Sequence, residues 1–336
     1  MAEKLEHAAS EETQLNPRSY TNLIEAGARL GALIAIFIAF TVAVGPRFVS
    51  AGNLENIFTQ SSVYAMAGLG MTMIIITGGI DLAAGSTIAL AMVITSLTLK
   101  HGGGVPLAVV SGMLSGAAIG AFQGTLITGL RVVPFIITLG GLVSIRGLTK
   151  EIAGNQEISP PVNWLSQNLM FPVQGINFSW QLVPLGVWAT LIAAILAAAL
   201  LKYTRLGRRI YAIGSNEATA RLCGVPVQRT KILVYALGGV FAGLAGVLEF
   251  SKLNLGQPTG AQMYELYIIA ACVIGGASLR GGVGTIFGTV VGAIFIGTLN
   301  AGTQQLGWEK QKQEMAIGAI IITAAALDQL RNRRRA

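Results

Sequence analysis

Charge is scarce in this chain. Only 11% of its 336 residues are Asp, Glu, Lys or Arg, where a soluble domain carries roughly 25%. So few charges cannot clothe a chain of this length in water, which excludes a soluble enzyme or scaffold. Cysteine is nearly absent: Cys223 is expected in a loop and Cys272 in a membrane span, so no disulfide framework follows. The two histidines, His7 and His101, lie far apart and predict no metal cluster. No Walker A sequence is present. Gly282-Val283-Gly284-Thr285-Ile286-Phe287-Gly288 is one residue off a dinucleotide fingerprint, but it opens an apolar helix and is rejected as a nucleotide loop. No nucleophile–base–orienter trio emerges. The chain is therefore not expected to be an enzyme by itself or to carry a cofactor or metal. The first twenty residues hold Glu3, Glu6, Glu11 and Glu12 without an apolar run, so no cleavable signal peptide is expected.

What the chain has is oil: 53% of its residues are hydrophobic. A bilayer core about 30 Å thick needs roughly 20 mostly apolar residues per helix. Ten spans are read near 28–48, 61–78, 84–100, 105–129, 132–149, 181–201, 232–251, 264–279, 284–303 and 313–330. The third and eighth are the weakest. The expected class is an all-α, polytopic membrane protein. A cytoplasmic tail would cover 1–27, a single transmembrane domain 28–330, and a basic cytoplasmic tail 331–336. With both ends inside, Lys4, Arg18, Arg131, Arg280, Arg331, Arg333, Arg334, Arg335 and the cations of 202–231 face the cytoplasm. Arg47, Lys100, Lys150, Lys252, Lys310 and Lys312 face out. That imbalance sets the orientation. It also accounts for the net charge of +8 without nucleic acid, because no basic stripe alternates with stacking aromatics. The long outer loop, about Glu151 to Trp180, holds Trp164 and Trp180, which read as interfacial anchors.

The stretch Lys202–Lys231 is a basic island. It holds Lys202, Arg205, Arg208, Arg209, Arg221, Arg229 and Lys231 against one acid, Glu217. Inside it, residues 215–226 read as a short helix, with Ser215 or Asn216 able to cap its start and Gly224 and Pro226 stopping it. Two turns of helix are marginal in water and need something to pack against. On an inner membrane face, a partner protein is the expected support.

Glycine is abundant, and some of it is periodic. Gly112, Gly116, Gly120 and Gly124 recur every fourth residue, as do Gly284, Gly288 and Gly292. Such stripes let helix backbones approach closely. A repeat is more informative: Gly78-Gly79-Ile80-Asp81-Leu82-Ala83-Ala84-Gly85 matches Gly275-Gly276-Ala277-Ser278-Leu279-Arg280-Gly281-Gly282 as GG-x-x-L-x-x-G. Corresponding breaks in two halves point to a duplicated transporter bundle. Among the acids, Asp81 is expected on the inner side, capping the next helix or meeting basic loops. Glu249 and Lys252 stand three apart and can pair, a structural role. Glu265 opens a span at the outer edge, where an acid complements the helix N-terminus.

Three ordered stretches carry a family resemblance. They are Gly78-Gly79-Ile80-Asp81-Leu82-x-x-Gly85-Ser86, then Arg205-Leu206-Gly207-Arg208 through Ile213-Gly214-x-Asn216-Glu217-Ala218, then Tyr264-Glu265-Leu266 leading to Gly275-Gly276-x-Ser278-Leu279-x-Gly281-Gly282-x-Gly284. From about residue 53 to 330 the chain resembles permease subunits of ribose-type ABC sugar importers of bacteria. Val133–Gly140 also fits that family's usual run. The resemblance implies an all-helical subunit, normally two per transporter (a second copy or a close homologue), with inverted halves around a central path. It also implies two cytoplasmic ATPase subunits, which hold the ATP and Mg, and a periplasmic sugar-binding protein above. Asn216-Glu217-Ala218-x-Ala220-x-x-x-Gly224 is similar to the family's coupling segment: Ala218 and Ala220 allow close approach, Glu217 can meet basic groups, and Leu222 offers an apolar knob. Two departures stand. Ala83-Ala84 replaces a more usual serine and valine, and Trp308–Glu314 is more charged than the aromatic segment usual there.

The expected function is therefore an inner-membrane permease, surrounded by lipid, for a monosaccharide. Path or gate candidates, chosen by polarity and depth, are Gln60, Ser61, Tyr64, Asn254, Gln257, Glu265 and Asn300. Rival readings are a proton-coupled carrier using Asp81, a non-transporting assembly component, and the same machinery carrying a nucleoside or branched amino acid.

Overall fold

The computed structural model describes residues 17–170 and 183–333. Within them every regular element is helical, apart from an isolated antiparallel bridge between Ile158 and Gly256. In chain order the helices are α1 Pro17–Val44, α2 Ala51–Ile76, α3 Ala84–Lys100, α4 Val105–Leu130, α5 Pro134–Ile152, α6 Trp164–Asn168 and α7 Leu185–Tyr203. They continue as α8 Arg205–Ser215, α9 Glu217–Leu222, α10 Val227–Leu253, α11 Tyr264–Ile274, α12 Ile286–Gln305 and α13 Lys310–Arg333. The acidic residues of the N-terminal tail, Trp180, and Arg334 and Arg335 lie outside the described residues.

Among the described residues, six helices are long and apolar enough to cross a membrane: α1 over Gly27–Val44, α2, α4, α7, α10 and α12. The ten expected spans fare unequally. Helices α3 and α11 are shorter, at 17 and 11 residues. The span expected over 264–279 ends at Ile274, and 11 residues rise only about 16 Å, half the hydrocarbon thickness. Helices α5 and α13 have the length but carry charge, with Arg146, Lys150 and Glu151 on α5. Helix α1 begins at Pro17, inside the stretch expected to be a tail.

Proline sets several of the boundaries. Pro106 and Pro134 lie in the first turns of α4 and α5, while Pro184 and Pro226 immediately precede α7 and α10. A first-turn proline forfeits no helical hydrogen bond. The residue before a proline is steered out of helical geometry, which separates α4 from α5 at Val133.

Helix α2 is the centre of the bundle. Its apolar window is enclosed throughout, whereas that of α1 is wholly peripheral. Around α2 pack α7, α8, α10, α11 and α12. Lipid is as apolar as leucine, so these contacts gain little from water release. They depend on dispersion and therefore on fit. Glycine provides the fit. A side chain at Gly116 would overlap the Gly239 carbonyl oxygen, and one at Gly239 would overlap that of Gly116. Gly120 meets the Tyr235 carbonyl in the same way, and Gly243 sits 2.6 Å from the Gly112 carbonyl oxygen as measured from its would-be Cβ. On other faces of α10, Gly238 lies against Ile74 of α2, and Gly246 against the Ile88 carbonyl of α3. The second stripe behaves likewise, with Gly288 and Gly292 against the carbonyls of Gly275 and Ala271. The outward faces are greasy: Leu30, Ile34, Ile38 and Val42 on α1 and Leu191, Ile192, Ile195 and Leu196 on α7 are all exposed. That is a lipid-facing surface.

The two glycine turns stop their helices in the same manner, with a register one residue different from the sequence match. After α2, Gly78 N–H bonds to Ile75 O and Gly79 N–H to Ile74 O, with Gly78 at φ +80°. After α11, Gly276 N–H bonds to Val273 O and Ala277 N–H to Cys272 O, with Gly276 at φ +87°. Both are Schellman endings, which demand a left-handed residue and hence glycine. Gly78 therefore corresponds to Gly276, whereas the pattern GG-x-x-L-x-x-G had aligned it with Gly275.

Candidate functional site

The basic island folds as two helices at a sharp bend. Thr204 caps α8 by accepting from Gly207 N–H at 3.1 Å. Gly207, Ile210 and Ile213 are buried, while Arg205, Arg208 and Arg209 face away. The spacing of those three buried residues places them on one face, so α8 lies against the bundle with its cations outward. At its end Gly214 has no room for a side chain, because Ile76 O and Gly282 N occupy that space. Gly282 N–H donates to Ile76 O at 2.8 Å, and the Tyr211 hydroxyl donates to Gly284 O at 2.8 Å. Both glycine turns, the end of α2 and the end of α8 thus meet at one junction.

Helix α9 follows at once. Of the two expected caps, Asn216 fills the role, its side chain accepting from Thr219 N–H at 2.9 Å. The helix closes with Val225 N–H on Ala220 O and Gly224 N–H on Arg221 O, Gly224 standing at φ +78°. The support expected from a partner comes from the chain itself, since Ala220 is buried with Ile213 of α8 and Val227 of α10. Glu217 also turns inward, meeting Arg221 at 3.1 Å and Lys231 of α10 at 2.6 Å. Ala218 is exposed, and Leu222 is 88% exposed. One side of α9 is fastened down and the other presents a bare apolar side chain. The two cysteines are both free, Cys223 exposed at the end of α9 and Cys272 buried.

The hydrogen bond from Lys231 holds the Glu217 carboxyl below the usual glutamate range, against the opposing effect of partial burial, and Arg221 adds to it. A depressed carboxyl contributes stability that is present above its unfolded value and lost as pH falls through its folded one. The tether of α9 to α10 is therefore expected to persist through the ordinary glutamate range and loosen only below it. Amide exchange of residues 217–225, corrected for intrinsic rate, would measure this. Loosening already above pH 5 would contradict the pairing.

A second polar region lies where α2, α10, α11 and α12 converge. A cavity of about 540 Å³ is lined by Gln60 and Tyr64 from α2, Glu249 from α10, Tyr264 and Tyr267 from α11, and Asn300 from α12. The 257–262 segment, Gln304, Lys310 and Gln313 border it as well. Tyr64, Tyr264 and Tyr267 form a ring cluster with centroids 5.1, 5.7 and 6.0 Å apart. Asn300 Nδ2 donates to the Tyr64 hydroxyl at 3.2 Å. Of the path candidates, Gln60, Tyr64, Gln257 and Asn300 come together here, and Ser61, Asn254 and Glu265 do not line it. Ser61 is directed at Gly297 on α12. Asn254 ends α10 in the left-handed region at φ 53°. Glu265 opens α11, as its position foretold, and it is buried against Gly85 at the start of α3. Asp81 is buried in the α2–α3 turn, where its Oδ1 accepts from Ala83 N–H at 2.8 Å.

Glu249, Tyr264 and Tyr267 are among the lining residues that sequence reasoning missed. Glu249 does pair with Lys252, at 3.8 Å, yet it also accepts from the Tyr264 hydroxyl at 2.9 Å. Tyr264 and Tyr267 carry the same hydroxyl as Tyr64, but no local spacing ties them to it.

Comparison with known proteins decides the family. A family model described as the permease component of a branched-chain amino acid transport system matches residues 53–325. The chain belongs to this permease family. It is 39% identical to the ribose import permease protein RbsC of Escherichia coli, across 88% of this chain and 91% of that protein. It is 36% identical to the D-allose transport system permease protein AlsC of the same organism, across 89% and 90%. With the galactose/methyl galactoside import permease protein MglC of Salmonella typhimurium, identity is 34% across 96% and 99%. No solved structure gives a significant match. Membership of this permease family and six membrane-length apolar helices make the chain an integral membrane protein.

Proposed function

We propose that this chain is the permease subunit of an ATP-driven ABC importer for a monosaccharide. The supporting observation is the set of sugar import permeases to which it is similar over about nine-tenths of its length. Their named cargoes favour a sugar over the branched-chain amino acid in the family's description. In this reading the chain provides the route, and two cytoplasmic ATPase subunits with their ATP and Mg provide the energy. A periplasmic binding protein delivers the sugar, and a second permease copy completes the path. The protein sits in the inner membrane with both termini cytoplasmic. The transmembrane domain, 28–330, comprises ten helices in two inverted halves, α3 and α11 being its short spans.

Force from the ATPases enters at 202–231. Asn216, Ala220 and Gly224 shape α9, and Ala218 and Leu222 face the partner. Glu217 holds the helix to α10, so that displacement of α9 displaces α8 and the junction behind it. Leu222 makes the cleanest test, because a residue so exposed costs its own chain almost nothing when changed. In proteoliposomes holding the whole complex, Leu222→Glu is expected to cut receptor-stimulated ATP turnover at least tenfold while the permease inserts and melts as before. Glu217→Lys should do the same by releasing α9. Turnover equal to wild type in both would remove α9 from the mechanism. Accumulation driven by an ion gradient without nucleotide would end the proposal as a whole.

A further inference from the structure

Two cations of the basic island stand unanswered beside bare apolar surface. A groove of about 600 Å³ lies between the end of α7, one side of α8 and the start of α12. Lys202 from α7 and Arg208 from α8 border it, over a floor that includes Leu201, Ile286 and Phe287. Both cations are exposed, neither makes an ion pair among the described residues, and no acid lines the groove. The basic pocket around Arg131 differs, because Glu217 there already answers Arg221 and Lys231. Two cations around one groove repel unless an anion lies between them.

The groove also runs into the lipid-facing surface of α7. Trp188, Leu191, Ile195, Ala198 and Lys202 follow one another at steps of three and four residues, so they share a face of the helix. All five are exposed, and Ala198 and Lys202 line the groove itself. Counting back from Lys202, about ten residues of helix rise roughly 15 Å, the depth of one hydrocarbon leaflet. Phe287, 56% exposed on α12, extends the apolar wall on the other side.

We propose that this groove holds an anionic phospholipid, its phosphate between Lys202 and Arg208 and an acyl chain along the Ile195–Ala198 side of α7. Chemistry selects that occupant. Cations at the end of an apolar trough suit a molecule with an anion at one end and hydrocarbon behind it. Free phosphate would satisfy the charge and leave the trough unfilled. An acidic segment of a protein would do the same, and α7 already faces lipid. A lipid so placed bridges α7, α8 and α12 beside the junction of the glycine turns, where the Tyr211 hydroxyl donates to Gly284 O. The site stands whether or not the importer reading does.

For the test, the full chain is extracted with whatever subunits it holds and placed in phosphatidylcholine nanodiscs. These contain a small fraction of phosphatidylglycerol with a photoactivatable acyl chain, and labelled peptides are read by mass spectrometry. Label is expected on residues 191–198 and at Phe287, and about tenfold less of it when the photoactivatable lipid is phosphatidylcholine. Lys202→Gln and Arg208→Gln should each lower labelling about fivefold, the worth of one basic residue at an anionic surface. Lys202→Arg should keep it. Arg209→Gln, exposed on α8 but outside the groove, should also label as wild type. An equal loss in Arg209→Gln would mean diffuse surface charge and would overturn the site, as would equal labelling by the two lipids or none on these residues. Displacement of the label by millimolar inorganic phosphate would make this a soluble-anion site. Labelling that appears only after other subunits are stripped away would make it a protein-docking surface. Either result overturns the lipid assignment. If a variant does not insert, competition on the wild type decides: unlabelled phosphatidylglycerol must displace the label about tenfold better than phosphatidylcholine.

Discussion

A leucine in place of Gly239 is expected to leave almost no assembled permease in the membrane. The argument is geometric. Helices α4 and α10 touch backbone to backbone, and the would-be Cβ of Gly239 falls on the Gly116 carbonyl oxygen and 3.1 Å from Gly120 N. Nothing flexible can step aside, because the obstructing atoms belong to a helix. Overpacking by a methylene or two costs roughly 1–3 kcal/mol, and forcing two helices apart along their length exceeds that range. A domain with a margin of about 5–15 kcal/mol loses much of it at one position. Membrane-extracted protein should fall at least tenfold against wild type in a fluorescence-detected chromatography assay, with Gly239→Ala intermediate. A monodisperse peak of normal height for Gly239→Leu would mean that α4 and α10 are not in contact.

Gly214→Val is expected to separate folding from transport. The residue ends α8 with Ile76 O and Gly282 N where its side chain would be, and the bond between those two atoms is 2.8 Å long. A valine there wedges α8 away from both glycine turns. The damage is confined to a surface junction, so insertion should survive with a melting temperature lowered by several degrees, matching a loss of about 1–3 kcal/mol. Sugar import should drop more than tenfold. ATP hydrolysis should continue without responding to the receptor, because α9 is untouched while its connection to the bundle is broken. Import at the wild-type rate would show that force does not pass through α8.

These expectations show which features could be read from the chain and which could not. Helix α9 was legible because its limits are chemical: an asparagine oxygen at one end, a left-handed glycine at the other. The stripe Gly112–Gly124 was legible because its period is regular: Gly116, Gly120 and Gly124 face α10, and Gly112 sits where α3 and α10 both approach. Its counterpart on α10 was not, since Gly238, Gly239, Gly243 and Gly246 serve α2, α4 and α3 in turn and follow no single period. Glu249 illustrates the limit most sharply. The partner three residues away was visible, but Tyr264 reaches it from another helix across a loop, and no local spacing encodes that meeting. The burial of Glu265 against Gly85 of α3 was hidden for the same reason, being a meeting of two helices distant in the chain. Polarity alone grouped seven path candidates, and tertiary packing sorted four of them around one cavity.

Helix α2 is enclosed along its apolar window, and it is unbroken between Tyr64, at the cavity, and Ile76, at the junction. Those residues are about 18 Å apart along the axis. An uninterrupted helix of that length behaves as a stiff lever. A tilt of ten degrees or so about one end swings the other by roughly 3 Å, enough to displace a tyrosine ring in the cavity wall. Whatever pulls on the carbonyl of Ile76 is therefore felt, without any intervening hinge, by the aromatic wall at the far end.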